Sequence, residues 1–261
     1  MSDSIDPSAS LDAVPAEAAA LLSRLASDDA AVRRIALIDL ADLEDACVIE
    51  PIVNALRRDA SPEVRSEAAR LLASWERDDV VEALCGALLD PHDVVRASAA
   101  QSLSELKQSS SGAILLEWLK QPDSFVRAAL LRALRELRVA EALAPALQAL
   151  SDDDPTVRSE AVGVLGWLKN AVALAPLALL ATHDPDASIR RAATASLGFA
   201  PRTHRATTEA LLGALHDDAW QVREEAAKLP AKRWAVIAPN YEYGTSAVPA
   251  SSVTGVAVTT T

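Results

Sequence analysis

A Val-Arg pair recurs along the chain at Val32-Arg33, Val64-Arg65, Val95-Arg96, Val126-Arg127, Val157-Arg158, Ile189-Arg190 and Val222-Arg223. Successive arginines are 32, 31, 31, 31, 32 and 33 residues apart. Seven copies on so regular a spacing are the mark of a repeat architecture, and they limit the fold before any other feature is read. Three residues after each arginine stands Ala36, Ala68, Ala99, Leu130, Ala161, Ala193 or Ala226. Seven after it stands Leu40, Leu72, Leu103, Leu134, Leu165 or Leu197, and then Pro230. Six before it lie Asp59, Asp90, Asp152, Asp184 and Asp217, with Ser27 and Gln121 as the exceptions.

Steps of four between the Val, Ala and Leu columns put them on one face of a helix. A second leucine-rich helix precedes each turn, as in PIVNALRR, VVEALCGALL, GAILLEWLK and APLALLAT. Between the two, Ser61-Pro62 and Asp154-Pro155 set a capping oxygen before a proline at the first helical position. One such helix pair cannot enclose its own apolar face, so neighbouring pairs must stack into a continuous core. Alanine and leucine dominate and aromatics are 3%, which suits a helical core of small aliphatics. The expected fold is all-α, an α-solenoid of about seven helix pairs and roughly 14 helices over residues 15–234. Residues 1–14 are polar and are expected to be disordered. Residues 235–261 do not continue the repeat and are expected to be a disordered tail or an end cap.

The pattern x-P-A-L-x-x-A-L-x-D-x-x-P-x-V-R-x-x-A-x-x-x-L resembles the short HEAT-like repeat of the phycobilisome-lyase type, over roughly residues 15–229. The resemblance implies a right-handed superhelix that binds partners on its concave face. It also implies that the turn aspartates and Val-Arg arginines form a hydrogen-bonded ladder along the stack. Asp59 and Arg65, Asp90 and Arg96, Asp152 and Arg158, Asp184 and Arg190, and Asp217 and Arg223 match that motif. Guanidinium groups can bridge to the next turn through charge-assisted bonds. Where Gln121 replaces the aspartate, the rung is expected to rely on Asp123 or to be weaker. A residue that recurs in every unit is expected to be structural, since a catalytic group is normally unique.

No catalytic residue emerges. The chain has no H-E-x-x-H, no Walker loop, no G-x-G-x-x-G and no G-x-S-x-G. None of His92, His183, His204 and His216 forms the His-Glu pair of the iron-binding HEAT hydroxylases. No metal and no cofactor is expected. Cys47 and Cys85 are too few for a disulfide framework and are expected to be buried thiols. The formal charge of −12 disfavours nucleic acid as a partner. Basic groups at Arg190-Arg191, Arg202–Arg205 and Lys228–Arg233 are expected to be a solvated end or a contact for an acidic partner. The longest apolar run, residues 171–181, is far short of the ~20 residues that cross a bilayer. No signal peptide is recognised at the N-terminus, and a cytoplasmic protein with no membrane partner is expected.

The candidate partner-binding positions lie out of phase with the core stripe of the second helices. Arg70, Gln101 and Arg132 share the column five residues after the arginine and form a polar ridge. Trp167 and Phe199 share the column nine residues after it, with Gly163 and Gly166 beside Trp167. These aromatics either anchor a partner or turn toward the core. Trp75 and Trp118 occupy leucine-type positions and are expected in the core. The expected function is a non-catalytic scaffold, adaptor or maturation chaperone, either a monomer or part of a heterocomplex with another protein. The alternative is a subunit of a bilin lyase or related cofactor-attaching enzyme, implied by the repeat type alone. A third idea, recognition of DNA lesions, rests on other members of the HEAT class.

Overall fold

The computed structural model describes residues 16–201 and 203–228. Among them are fourteen α-helices and no strand. They run as successive pairs: α1 (Ala16–Arg24) with α2 (Ala30–Ala41), α3 (Ile49–Arg58) with α4 (Pro62–Leu71), and α5 (Asp78–Ala87) with α6 (Asp93–Ser104). Then come α7 (Gly112–Trp118) with α8 (Ser124–Glu136), α9 (Leu143–Ala149) with α10 (Pro155–Leu168), α11 (Leu174–His183) with α12 (Ala187–Ser196), and α13 (Arg205–Ala214) with α14 (Trp220–Ala227). The segments expected to be a disordered N-terminus and a C-terminal tail, and Pro230 of the leucine column, lie outside the described residues.

The periodic columns are the core. Val64, Val95, Val126, Val157, Ile189 and Val222 are fully buried, as are all seven residues of the Ala column and the six leucines that follow them. Short side chains at the Ala column let the second helices lie close together. Each of them packs on the next, from α2 through α4, α6, α8, α10 and α12 to α14. The first helices touch one another more sparsely, except where α11 meets α13.

Side-chain caps start five of the seven second helices. The side chains of Asp29, Ser61, Asp123, Asp154 and Asp186 accept a backbone N–H in the first turn, and Pro62 and Pro155 stand at its first position. The helix ends are less uniform. After α4 and α12 the chain tightens into 3₁₀ turns at Leu72–Ser74 and Leu197–Phe199, whereas α10 continues as α-helix to Leu168. It stops at Lys169, which adopts the left-handed conformation at φ 50° and ψ 35°.

Three core expectations need correction. Cys85 is buried, but Cys47 is exposed, because it sits in a 3₁₀ turn before α3 rather than inside a helix. Trp75 and Trp118 are only half-buried. Their bulk exceeds the leucine space, so they lie against the core from outside. Trp118 directs its indole Nε1 to the Glu82 carboxylate at 2.7 Å.

Candidate partner-binding face

In five of the seven repeats the arginine reaches two ways. Its Nη1 donates to backbone carbonyls of its own turn, as Arg158 does to Asp152 and Asp153 at 2.8 and 3.1 Å. Its Nε and Nη2 grip the aspartate of the following repeat. The pairs are Arg33 with Asp59, Arg65 with Asp90, Arg127 with Asp152, Arg158 with Asp184 and Arg190 with Asp217, with distances of 2.7–3.2 Å. Each aspartate also accepts a backbone N–H two residues ahead, which fixes its own turn. Both carboxylate oxygens are therefore engaged. Burial acts to raise the carboxyls of Asp59, Asp90 and Asp152, but the arginine and backbone hydrogen bonds outweigh it and hold them below the usual range. Asp217 is lowered chiefly by the hydrogen bond from Arg190.

Two departures from the repeat have different consequences. Ser27 belongs to the first described helix pair, and its carbonyl still serves Arg33 at 2.9 Å. Gln121 also keeps its carbonyl toward Arg127, at 3.4 Å, but offers no carboxylate to Arg96. Asp123 does not fill the gap, because its carboxylate caps α8 by accepting from Val126 N. Arg96 turns to Asp93 on its own helix, at 2.5 Å, and stacks 5.0 Å from the Phe125 ring centroid.

The ridge residues are at the surface. Arg70 is exposed and lies 3.6 Å from Glu67, and Gln101 donates to Glu105 at 2.6 Å. Arg132 reaches across to α10, where Nε and Nη2 donate to Glu160 Oε1 at 3.0 and 2.7 Å. Arg135 donates to the other oxygen, Oε2, at 3.0 Å. Glu160, itself buried, is thus clamped by two guanidiniums. A Cβ on Gly163 would stand 2.6 Å from Arg135 Nη1, so that glycine makes room for the Arg135 side chain.

This clamp escapes a reading by columns. Its signal is a glutamate two residues after the repeat arginine, found at Glu67, Glu160 and Glu225 but not in every unit. Glu225 makes a looser version, 3.9 Å from Arg191.

Trp167 and Phe199 differ in setting. Trp167, on continuous α-helix, is 38% exposed. Phe199 lies on a 3₁₀ turn and is half-buried against the core. The change in helical pitch after Leu197 takes Phe199 out of the Trp167 column. A shallow depression lies here between α10 and α12, lined by Gly163, Gly166, Lys169, Ser196 and Phe199.

Among the described residues the basic groups near the C-terminal end are paired: Arg190 is in the ladder, Arg205 meets Glu209 at 2.7 Å, and Lys228 lies near Glu224 and Glu225, while Arg202, Lys232 and Arg233 lie outside the described residues. His204 caps α13, its Nδ1 accepting from Thr207 N at 3.3 Å. Among the described residues no cluster of His, Cys, Asp or Glu could hold a metal ion. No described helix is long and apolar enough to cross a membrane.

Helix pairs stacked in sequence, each packing its apolar face on the next, define an α-solenoid. Residues 18–104, 49–135 and 112–198 match the family model for HEAT repeats, and the chain belongs to the HEAT-repeat family. YibA of Escherichia coli is similar in structure, at 18% identity over 85% of this chain and 84% of that one, with a TM-score of 0.56. The archaeal HEAT-like repeats protein of Thermococcus onnurineus NA1 is 16% identical over 86% of this chain and 100% of its own, with a TM-score of 0.55. A chain of the complex of CpcE and CpcF of phycocyanin lyase from Nostoc sp. PCC7120 is 21% identical over 87% of this chain and 100% of its own, with a TM-score of 0.44. At these identities the likeness is one of fold. No curated protein sequence matches the chain.

Proposed function

We propose that this HEAT-repeat protein is a non-catalytic scaffold, adaptor or maturation chaperone that holds another protein against its row of second helices. One observation carries the reading. Successive second helices present Arg70, Gln101 and Arg132 at the surface, followed by the exposed indole of Trp167. An aromatic beside arginines is the composition that dominates binding energy at protein interfaces. Each group stands on a helix, which presents it with little local ordering cost. The five gripped arginine–aspartate pairs serve the stack, since their donors and acceptors are used within it.

Affinity purification of the tagged full chain from its native host, followed by mass spectrometry, tests the proposal. A stoichiometric protein partner without chromophore is the expected result. A covalently bilin-loaded partner would move the protein to cofactor attachment. Salt-sensitive retention of DNA in place of protein would overturn the proposal.

A further inference from the structure

The ladder provides its own internal comparison. Five repeat boundaries carry the same grip of an arginine on the next aspartate, and the boundary between the third and fourth repeats does not. Arg96 has lost more than that carboxylate. Its Nε is buried with no hydrogen-bond partner. Its side chain is 30% exposed, against 10–24% for the five gripping arginines. The substitute partner Asp93 is 90% exposed and belongs to the same helix, so that pair ties nothing across the boundary. Phe125 does cross it, but a cation–ring contact at this distance is weaker and less directional than two charge-assisted bonds.

The same boundary stays closed elsewhere. The second helices α6 and α8 pack together, as do the first helices α5 and α7. Trp118 on α7 bonds Glu82 on α5 and covers Gly86, whose added Cβ would meet the indole at an ordinary 3.9 Å. A boundary that is packed through its helix layers and unlocked along its turn edge has the construction of a hinge. We propose that the solenoid flexes at the junction of α5–α6 with α7–α8. Units one to three and four to seven then move as two stiff blocks, and the spread of the row of second helices is set at this one point. The device is independent of what that row binds.

Native-state hydrogen exchange on the full chain tests it, with rates normalised to protection factors. The turn at residues 121–127 is expected to be at least about tenfold less protected than the turns at 152–158 and 184–190, the scale of one charge-assisted rung. Gln121→Asp supplies the missing carboxylate and is expected to bring the 121–127 turn to within about threefold of the others. Asp152→Asn removes the carboxylate that Arg127 grips and is expected to create the same loss of protection at 152–158. Equal protection at all turns in the unmodified chain overturns the hinge. So does a Gln121→Asp chain whose 121–127 turn stays as poorly protected as before, or an Asp152→Asn chain whose 152–158 turn does not change.

Discussion

Arg158 donates from Nε and Nη2 to both carboxylate oxygens of Asp184, at 2.9 and 3.2 Å, across the boundary between two helix pairs. The same guanidinium holds the carbonyls of Asp152 and Asp153 through Nη1. One side chain therefore closes its own turn and fastens the next. Asp184 is buried, so the fastening is shielded from water and salt. Replacing Asp184 by Ala strands Arg158 and the backbone N–H of Asp186, and is expected to cost about 2–4 kcal/mol. Urea denaturation measures it. Glu209→Ala breaks an exposed helix-surface pair with Arg205 and is expected to leave the midpoint unchanged.

The ladder makes stability depend on pH with a definite sign. Asp59, Asp90, Asp152 and Asp217 have carboxyls held below the ordinary range in the folded chain. A group with a depressed folded pKa adds stability above its unfolded pKa, near 3.9 for aspartate, and loses it as pH falls through the folded value. Stability is therefore expected to hold above about pH 5 and to fall steadily below about pH 4. Urea midpoints at a series of pH values check this, and a midpoint that rises below about pH 4 would count against the ladder.

Two glycines of α10 are expected to respond differently to alanine. Alanine gains about 1 kcal/mol of helix propensity over glycine. At Gly163 the new Cβ meets Arg135 Nη1 at 2.6 Å; that side chain can swing aside only by giving up its bond to Glu160, a loss that offsets the helix gain while Arg132 still holds the carboxylate, so Gly163→Ala is expected to be near neutral. At Gly166 it meets Ser196 Oγ at 2.5 Å and Ser196 Cβ at 3.0 Å. A Cβ moves only with its helix, so Gly166→Ala is expected to destabilise by about 1 kcal/mol. Thermal melts of the two variants decide the order.

Lys169 ends α10 at φ 50°, a conformation that costs a residue with a side chain and suits glycine. Lys169→Gly is expected to raise stability by about 0.5–1 kcal/mol, read from urea denaturation. A loss of stability would show that the lysine side chain holds the helix end.

The repeat is legible in the sequence because its core columns recur: valine, alanine and leucine at fixed offsets share one helix face, and from the second repeat to the sixth every such residue is buried. Features that do not recur are not legible in this way. Whether α10 stays helical through Trp167 while α12 tightens before Phe199 depends on local backbone pitch, which column spacing does not encode. The clamp on Glu160 joins residues 25 and 28 positions apart, in different columns of adjacent repeats. Asp123 has the chemistry to substitute for the missing aspartate, but a helix start needs a cap, and that nearer demand takes its carboxylate.

The proposal that the second helices hold a partner is tested most directly by the affinity of one variant. Trp167 is exposed and is absent from the buried core, so Trp167→Ala removes interface area with little effect on the fold. Once the partner is purified, isothermal titration of the unmodified chain and of Trp167→Ala gives both dissociation constants, and melting curves report the fold. The expected result is a loss of affinity of about tenfold or more with the melting temperature unchanged. Unchanged affinity with a lowered melting temperature would contradict the account and return Trp167 to the packing of the solenoid.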